Sequence, residues 1–136
     1  MSGTALHVSL VEDHPVLRGV LRDYISRLPE VESCSAASTA EEALKEMDAG
    51  APDLILVDLS LPGMSGIELV KKLRDRYPSL RCAILSGHRS RTYAGQALAA
   101  GADGYLLKGD PLEIERGMQA ILAGQRYVSK SLDDGS

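Results

Sequence analysis

Aromatic and sulfur-containing side chains are scarce in this sequence. Its 136 residues include five Tyr, no Trp, no Phe and two Cys. Cys34 and Cys82 do not share the short spacing of a metal-binding pair. We therefore expect both cysteines to be small core side chains on strands, with no disulfide or metal role.

The sequence also lacks a long apolar run, a leader-like N-terminus and an excess of positive charge. No stretch approaches the roughly 18 apolar residues of a membrane span, and residues 1–5, Met-Ser-Gly-Thr-Ala, have neither the basic nor the apolar region of a signal peptide. We therefore expect a cytoplasmic protein. The formal net charge of -4 argues against nucleic-acid binding by this segment, because such a domain would carry a basic face.

The sequence does contain a regular alternation of short apolar runs and amphipathic stretches. The runs predict strands, because a strand covered on both faces is apolar throughout. The stretches predict helices, because their apolar residues recur at helical spacing. In the first of them, the apolar residues from Val16 to Leu28 fall on one stripe. The predicted strands cover residues 6–11, 31–37, 54–57, 82–85 and 104–107.

Strands that alternate with helices through short connections predict an α/β fold with a parallel five-stranded sheet between two helical layers. Right-handed crossovers leave few topologies. The one we expect is the flavodoxin-like, doubly wound (βα)5 sandwich, with strand order 2-1-3-4-5 and a ligand site between strands 1 and 3. This domain covers residues 5–124, and residues 125–136 form a C-terminal tail or the start of a linker. The polar stretch from Ser129 to Ser136 is expected to fray or to lead into that linker.

Polar side chains follow four of the predicted strands. In a parallel sheet the carboxyl ends of the strands share one edge, so this edge receives Glu12, Asp13, Asp58, Ser86 and Lys108. Crowded carboxylates repel one another, and a hard cation with oxygen ligands such as Mg²⁺ would relieve the repulsion. An aspartate can also act as a nucleophile and form an aspartyl-phosphate, while lysine and serine can bind phosphoryl oxygens. The set predicts phosphoryl transfer onto a carboxylate.

Four segments, each at the end of a predicted strand, together resemble the receiver domain of bacterial response regulators, the CheY-like superfamily. They are residues 11–15 (Val-Glu-Asp-His-Pro), 57–66 (Val-Asp-Leu-Ser-Leu-Pro-Gly-Met-Ser-Gly), 85–87 (Leu-Ser-Gly) and 104–108 (Gly-Tyr-Leu-Leu-Lys). Residues 99–108, Ala-Ala-Gly-Ala-Asp-Gly-Tyr-Leu-Leu-Lys, are especially similar to regulators of the NarL/LuxR type. That subfamily usually carries a helix-turn-helix DNA-binding domain after the receiver.

The resemblance implies a role for each residue of the acidic edge. Asp58 would accept a phosphoryl group from the phosphohistidine of a sensor histidine kinase. Asp13, Asp58 and the backbone carbonyl of Ser60 would bind Mg²⁺, or Mn²⁺ in its place, and Glu12 would reach the ion through water. Lys108 would pair with the phosphoryl oxygens. The domain would be a signalling module and not an enzyme, with at most slow self-phosphorylation from small donors and autodephosphorylation.

The resemblance also implies a switch and two rate-tuning positions. Ser86 would swing toward the phosphoryl group, and Tyr105 would turn inward into the space that it leaves. Ser60 and His88, each two residues beyond a site residue, would tune the rate of dephosphorylation. Such a switch would act on an effector domain and could promote a homodimer. The alanine-rich helix after Ser86 has few large anchors, so we expect it to be held less tightly than the others.

Several alternatives remain open from the sequence. The chain is either part of a longer transcription factor or a single-domain regulator that acts through protein contacts, and a receiver that is not phosphorylated is a third reading. The same fold also hosts flavin-binding proteins and aspartate-nucleophile phosphatases. A flavin site would use aromatic stacking, which is scarce here, and a phosphatase would place a second acid at the position occupied by Ser60.

Overall fold

The computed structural model describes residues 6–130 and residue 132. Within this part of the chain, no helix has both the length and the apolar character needed to cross a membrane. Strands and helices alternate as the sequence predicts. The elements are β1 (Leu6–Val11), α1 (Pro15–Ser26), β2 (Val31–Ala37), α2 (Ala40–Ala49), β3 (Leu54–Asp58), α3 (Gly66–Arg76), β4 (Arg81–Ser86), α4 (Arg91–Ala99), β5 (Gly104–Leu107), α5 (Pro111–Leu122) and β6 (Tyr127–Val128).

The strands form one parallel sheet in the order β2-β1-β3-β4-β5-β6. The first five strands confirm the predicted order, and the reversal of winding lies between β1 and β3, as expected. The sheet has one strand more than predicted, because β6 pairs with the outer edge of β5, with Tyr105 opposite Val128. A strand of two residues is too short to show any periodicity in the sequence.

Apolar side chains fill both faces of the sheet and so confirm the three-layer arrangement. On one face α1 and α5 cover the strands, and on the other face α2, α3 and α4 do so. The apolar stripe predicted for α1 is wider than its buried face: Leu21 and Ile25 are buried, but Val16 and Val20 are 70% and 58% exposed.

Both cysteines lie on strands, as predicted, and both are free thiols. Cys82 is buried in β4 and Cys34 is half-buried in β2. Burial raises the pKa of the Cys82 thiol to about 12 and that of Cys34 to about 11. Since the thiolate is the reactive form of cysteine, these residues are suited to packing and not to chemistry.

The loop after β3 brings the start of α3 close to the end of that strand. Gly63 has a φ of 78°, a left-handed conformation that glycine adopts without strain in the turn. Ser65 caps α3 in a capping box with Glu68. A Cβ atom on Gly66 would collide with the backbone oxygen of Asp58, so only glycine fits here. The loop therefore closes tightly around Asp58.

The segment after α5 is attached to the sheet. The backbone N–H of Ser129 donates to the carbonyl of Tyr105 at 2.9 Å, and the Ser129 hydroxyl accepts from the N–H of Leu107 at 3.1 Å. Ser129 is buried, as is Leu132. Ser129 itself does not fray, because these contacts pair its backbone N–H and bury its hydroxyl. That the stretch leads into a linker stays a prediction. Residues 131 and 133–136 lie outside the described residues.

Candidate functional site

Three carboxylates meet at the carboxyl edge of the sheet. Asp58 is the last residue of β3, and Glu12 and Asp13 directly follow β1, the strand next to it. Ligand atoms from all three side chains lie within 4.8 Å of one another. Glu12 and Asp58 are 0% and 2% exposed, whereas Asp13 is exposed. Because the donors are all oxygen atoms and one of them faces solvent, the cluster suits a hard cation that keeps some of its water.

One ammonium group joins the two buried carboxylates. Lys108 follows β5, and its Nζ lies 3.0 Å from Glu12 Oε1 and 3.1 Å from Asp58 Oδ1. Its backbone N–H donates to the carbonyl of Ser86 on the neighbouring strand. The positive charge of Lys108 thus faces three carboxylates, and the site remains anionic overall. Such a site attracts a cation, and its lysine can bind an incoming phosphoryl group.

Burial dominates the ionisation of Asp58. It raises the pKa of the carboxyl from 3.8 to about 6. Hydrogen bonds from Lys108 and from the backbone N–H of Ser60 lower this pKa, whereas the charge of Glu12 raises it further. Burial alone would lower the pKa of Lys108, but the hydrogen bonds and charges of Glu12 and Asp58 outweigh it and raise that pKa. Above about pH 6 Asp58 is therefore a carboxylate beside a charged lysine.

Ser60 and the first turn of α1 border the acidic cluster. The backbone N–H of Ser60 donates to Asp58 Oδ1 at 3.2 Å, which holds this residue beside the carboxylate. His14 caps α1, since its Nδ1 accepts from the N–H of Leu17, and its own N–H donates to Glu12 Oε2 at 3.2 Å. The metal contact predicted for the carbonyl of Ser60 stays a prediction, and His14 has a structural role as the cap of α1.

The predicted switch residues are buried side by side next to this cluster. The ring of Tyr105 is 0% exposed and its hydroxyl donates to the carbonyl of His88 at 2.7 Å. The Ser86 hydroxyl accepts from the N–H of His88 at 2.9 Å. Burial raises the pKa of Tyr105, partly offset by a hydrogen bond with Ser86. The two side chains are thus packed together, with Tyr105 already turned inward.

The exposed residue His88 lines a cleft that begins at the loop directly after Asp58. Its ring packs edge-on against Tyr93 of α4, with the centroids 5.2 Å apart. The cleft has a volume of about 330 Å³ and is lined by the loop after β3 and by His88, Tyr93 and Gln96. Nothing in the sequence indicated that Tyr93 borders the site. Its ring contacts His88, five residues earlier in the chain, because the start of α4 brings the two side chains together.

A larger cleft, of about 580 Å³, opens at the opposite end of the strands between Leu6, Tyr77 and Arg81. It contains none of the three clustered acids and none of the predicted site residues. Size alone does not identify a site of chemistry, whereas converging acids, a lysine and a raised pKa do. The candidate site is therefore the acidic cluster at the carboxyl edge of the sheet and not this larger cleft.

Comparison with known proteins agrees with this geometry. The family model described as response regulator receiver domain matches residues 8–133. The nitrate/nitrite response regulator protein NarL of Escherichia coli K12 is 36% identical over 126 residues, which are 92% of this chain and 58% of NarL. The DNA-binding transcriptional activator DevR/DosR of Mycobacterium tuberculosis is 37% identical over 122 residues, 89% of this chain and 56% of that protein.

A solved structure gives the same result. The crystal structure of a LuxR-family two-component response regulator from Aurantimonas sp. SI85-9A1 superposes with a TM-score of 0.86 at 36% identity, covering 94% of this chain and 91% of that one. The chain described here spans less than two thirds of the curated relatives.

Proposed function

Because the chain belongs to the response regulator receiver family and is of the NarL/LuxR type, we propose that Asp58 is the residue that accepts its phosphoryl group. The observation that carries the proposal is the position of Asp58, buried at the switch point of the sheet, with Lys108 at 3.1 Å and two further acids beside it. The donor is the phosphohistidine of a sensor kinase. A cytoplasmic location is part of the same proposal.

The transfer needs an ionised Asp58 and a way to neutralise the product. A carboxylate oxygen of Asp58 attacks the phosphorus, a P–O bond forms as the P–N bond breaks, and the electron pair stays on the imidazole nitrogen, which takes up a proton. At about pH 7.5 the carboxyl is ionised, since its pKa is raised only to about 6. Lys108 then shifts from the carboxylates toward the new dianion, which it can bind as a point charge.

The acidic cluster fits the magnesium ion that the family implies, because its donors are oxygens and it carries excess negative charge. When bound, Mg²⁺ supplies positive charge to the transferring phosphoryl oxygens. Asp13, Asp58 and the carbonyl of Ser60 would hold it, with Glu12 acting through water. Mn²⁺ would bind the same oxygen ligands.

The switch in this proposal is a rearrangement of the buried pair Ser86 and Tyr105. Phosphorylation gives the Ser86 hydroxyl a new acceptor for its own proton. Turning toward that acceptor would break the hydrogen bond that the hydroxyl now accepts from the N–H of His88. Shifting a two-state equilibrium from 1:99 to 99:1 requires about 5.5 kcal/mol. A dianion that recruits a hydroxyl, a lysine and a metal ion can supply a difference of that size. Ser60 and His88, at the rim of the cleft, would tune how quickly water reaches the phosphoryl group.

Intact mass spectrometry tests the proposal. The wild-type chain and the Asp58→Asn variant are incubated with Mg²⁺ and acetyl phosphate, and the exposed Asp75→Asn variant serves as a matched control. We expect one phosphoryl adduct on the wild type and on the control, lost on standing, and none on Asp58→Asn. An adduct on Asp58→Asn would contradict the assignment. No adduct on the wild type, together with no magnesium binding, would indicate a receiver that works by binding alone.

The output that we propose is transcriptional control through a DNA-binding domain in the same polypeptide. DevR/DosR is by name a DNA-binding transcriptional activator, and the relatives extend well beyond the matched region. The native reading frame tests this proposal, because a single-domain regulator would have no such domain. Light scattering of the acetyl phosphate samples would show whether phosphorylation also produces a homodimer.

A further inference from the structure

Arg18 of α1 reaches back to the loop that carries two of the three acids. Its Nη1 atom donates to the backbone carbonyls of Glu12, at 3.0 Å, and of Asp13, at 3.2 Å. Helical side chains point toward the N-terminus of their helix, so a residue in the first turns of α1 is well placed to contact the preceding loop. The sequence offered no signal for this contact, since arginine on an amphipathic helix is ordinarily solvated.

This contact acts on the loop of Glu12 and Asp13, in which Glu12 is also held by several other hydrogen bonds. Glu12 is fixed by its N–H, which donates to the carbonyl of Ala37, and by its buried carboxylate, which Lys108 and the N–H of His14 contact. Asp13 is exposed. The Arg18 guanidinium ties the peptide groups of both acids to the first helix and so limits the positions that the Asp13 carboxylate can take.

We propose that Arg18 is a positioning residue that sets the divalent-cation affinity of the acidic cluster by fixing the backbone of Glu12 and Asp13. This inference rests on the proposed function, because that function supplies the metal site. Mg²⁺ requires near-ideal octahedral geometry, and groups that orient the ligands of a metal typically change its affinity by about 10- to 100-fold when they are mutated.

The charge of Arg18 has the opposite effect. A guanidinium near the cluster repels a cation, so removing it would tighten metal binding if charge alone mattered. Loss of the two hydrogen bonds would weaken binding if position matters more. Arg18→Met removes the charge and both hydrogen bonds while keeping an apolar stem, so the sign of the change in affinity shows which effect is larger. Arg18→Lys keeps the charge on a side chain that is one bond shorter.

The test measures metal affinity directly. Mn²⁺ binding is followed by electron paramagnetic resonance and Mg²⁺ binding by calorimetry, without any phosphodonor. We expect about tenfold weaker binding for Arg18→Met and a smaller loss for Arg18→Lys. Arg22, one turn further along α1 and exposed, provides the matched control. Arg22→Met removes the same charge from the same helix and should change the affinity by less than about twofold.

A purely structural role would have a different result. Urea unfolding in the presence of a chelator would then show a lower midpoint for Arg18→Met while the affinity of the folded variant for Mn²⁺ stayed at the wild-type value. Unchanged or tighter binding by Arg18→Met overturns the inference and leaves the proposed function intact. A wild-type chain that binds neither ion overturns both, so the two failures are distinguishable.

Discussion

Replacing Asp58 by asparagine should make the folded chain more stable in the absence of metal. The carboxyl is 2% exposed, and burial is the largest cause of its raised pKa. Lys108 serves two buried carboxylates at once, so the attraction it offers to Asp58 is shared with Glu12. An amide of nearly the same size removes one negative charge from this crowded edge while keeping an oxygen that can accept from the N–H of Ser60.

The size of the effect follows from the pKa. A carboxyl pKa that rises from 3.8 to about 6 on folding costs about 3 kcal/mol at a pH above both values, at about 1.4 kcal/mol for each pH unit. This destabilisation is fully present above about pH 6 and decreases as the folded chain takes up a proton between about pH 6 and 4. It is absent below the pKa of the carboxyl in the unfolded chain, 3.8. We therefore expect Asp58→Asn to exceed the wild type by up to about 3 kcal/mol at about pH 8, with a difference that shrinks toward pH 4.

Urea unfolding with a chelator present measures this difference, followed by circular dichroism because the chain has no Trp. The exposed Asp75→Asn variant is the control and should differ from the wild type by less than about 0.5 kcal/mol at either pH. If Asp58→Asn were less stable than the wild type near pH 8, or if its advantage did not depend on pH, the reasoning from burial would be refuted. Adding Mg²⁺ should stabilise the wild type and reverse part of the difference, since binding to the folded state alone raises its stability.

Further predictions concern the scaffold. Arg74→Ala removes a side chain that donates to three backbone carbonyls around β4, and it should lower the free energy of unfolding by about 2–4 kcal/mol in urea titrations. Gly66→Ala should cost about 2 kcal/mol or more and slow phosphorylation, because the added methyl group would collide with the backbone of Asp58. Tyr127→Phe removes a hydrogen bond of 2.9 Å to the buried Glu113, so amides of the segment after α5 should exchange about tenfold faster. Amides of α4 should exchange faster than those of α3, and equal protection would contradict the view that its alanine-rich face holds it weakly.

Much of the fold could be predicted from the sequence, because strand-like runs and helical patterns alternate regularly, although β2 (Val-Glu-Ser-Cys-Ser-Ala-Ala) is a weaker run than the others. The predictions that failed concern features that depend on packing against neighbouring helices and strands. The stripe on α1 includes Val16 and Val20, and only the placement of the sheet and of α5 determines that they stay exposed while Leu21 and Ile25 are buried. Periodicity identifies a face that can be buried, and the amount of that face that is buried depends on tertiary packing.

The acidic edge was predictable for a topological reason. Parallel strands end on one side of the sheet, so residues that follow four separate strands must meet there. Sequence could not show how their charges are shared. Lys108 contacts Glu12 and Asp58 together, and Arg18 reaches the loop of Asp13. Both contacts depend on side-chain directions that no spacing rule encodes.

Glu113 shows the same limit at the other end of the chain. An acid in the first turn of α5 ordinarily faces solvent and interacts with the helix dipole. Here the carboxylate is buried and accepts hydrogen bonds from the Tyr127 hydroxyl and from the backbone N–H of Lys130. Burial would raise its pKa, but these bonds outweigh burial and lower it. The bonds hold the segment that also pairs with the backbone of Tyr105. A rearrangement that moves the backbone of Tyr105 would therefore also move this segment, because the two share one edge of the sheet.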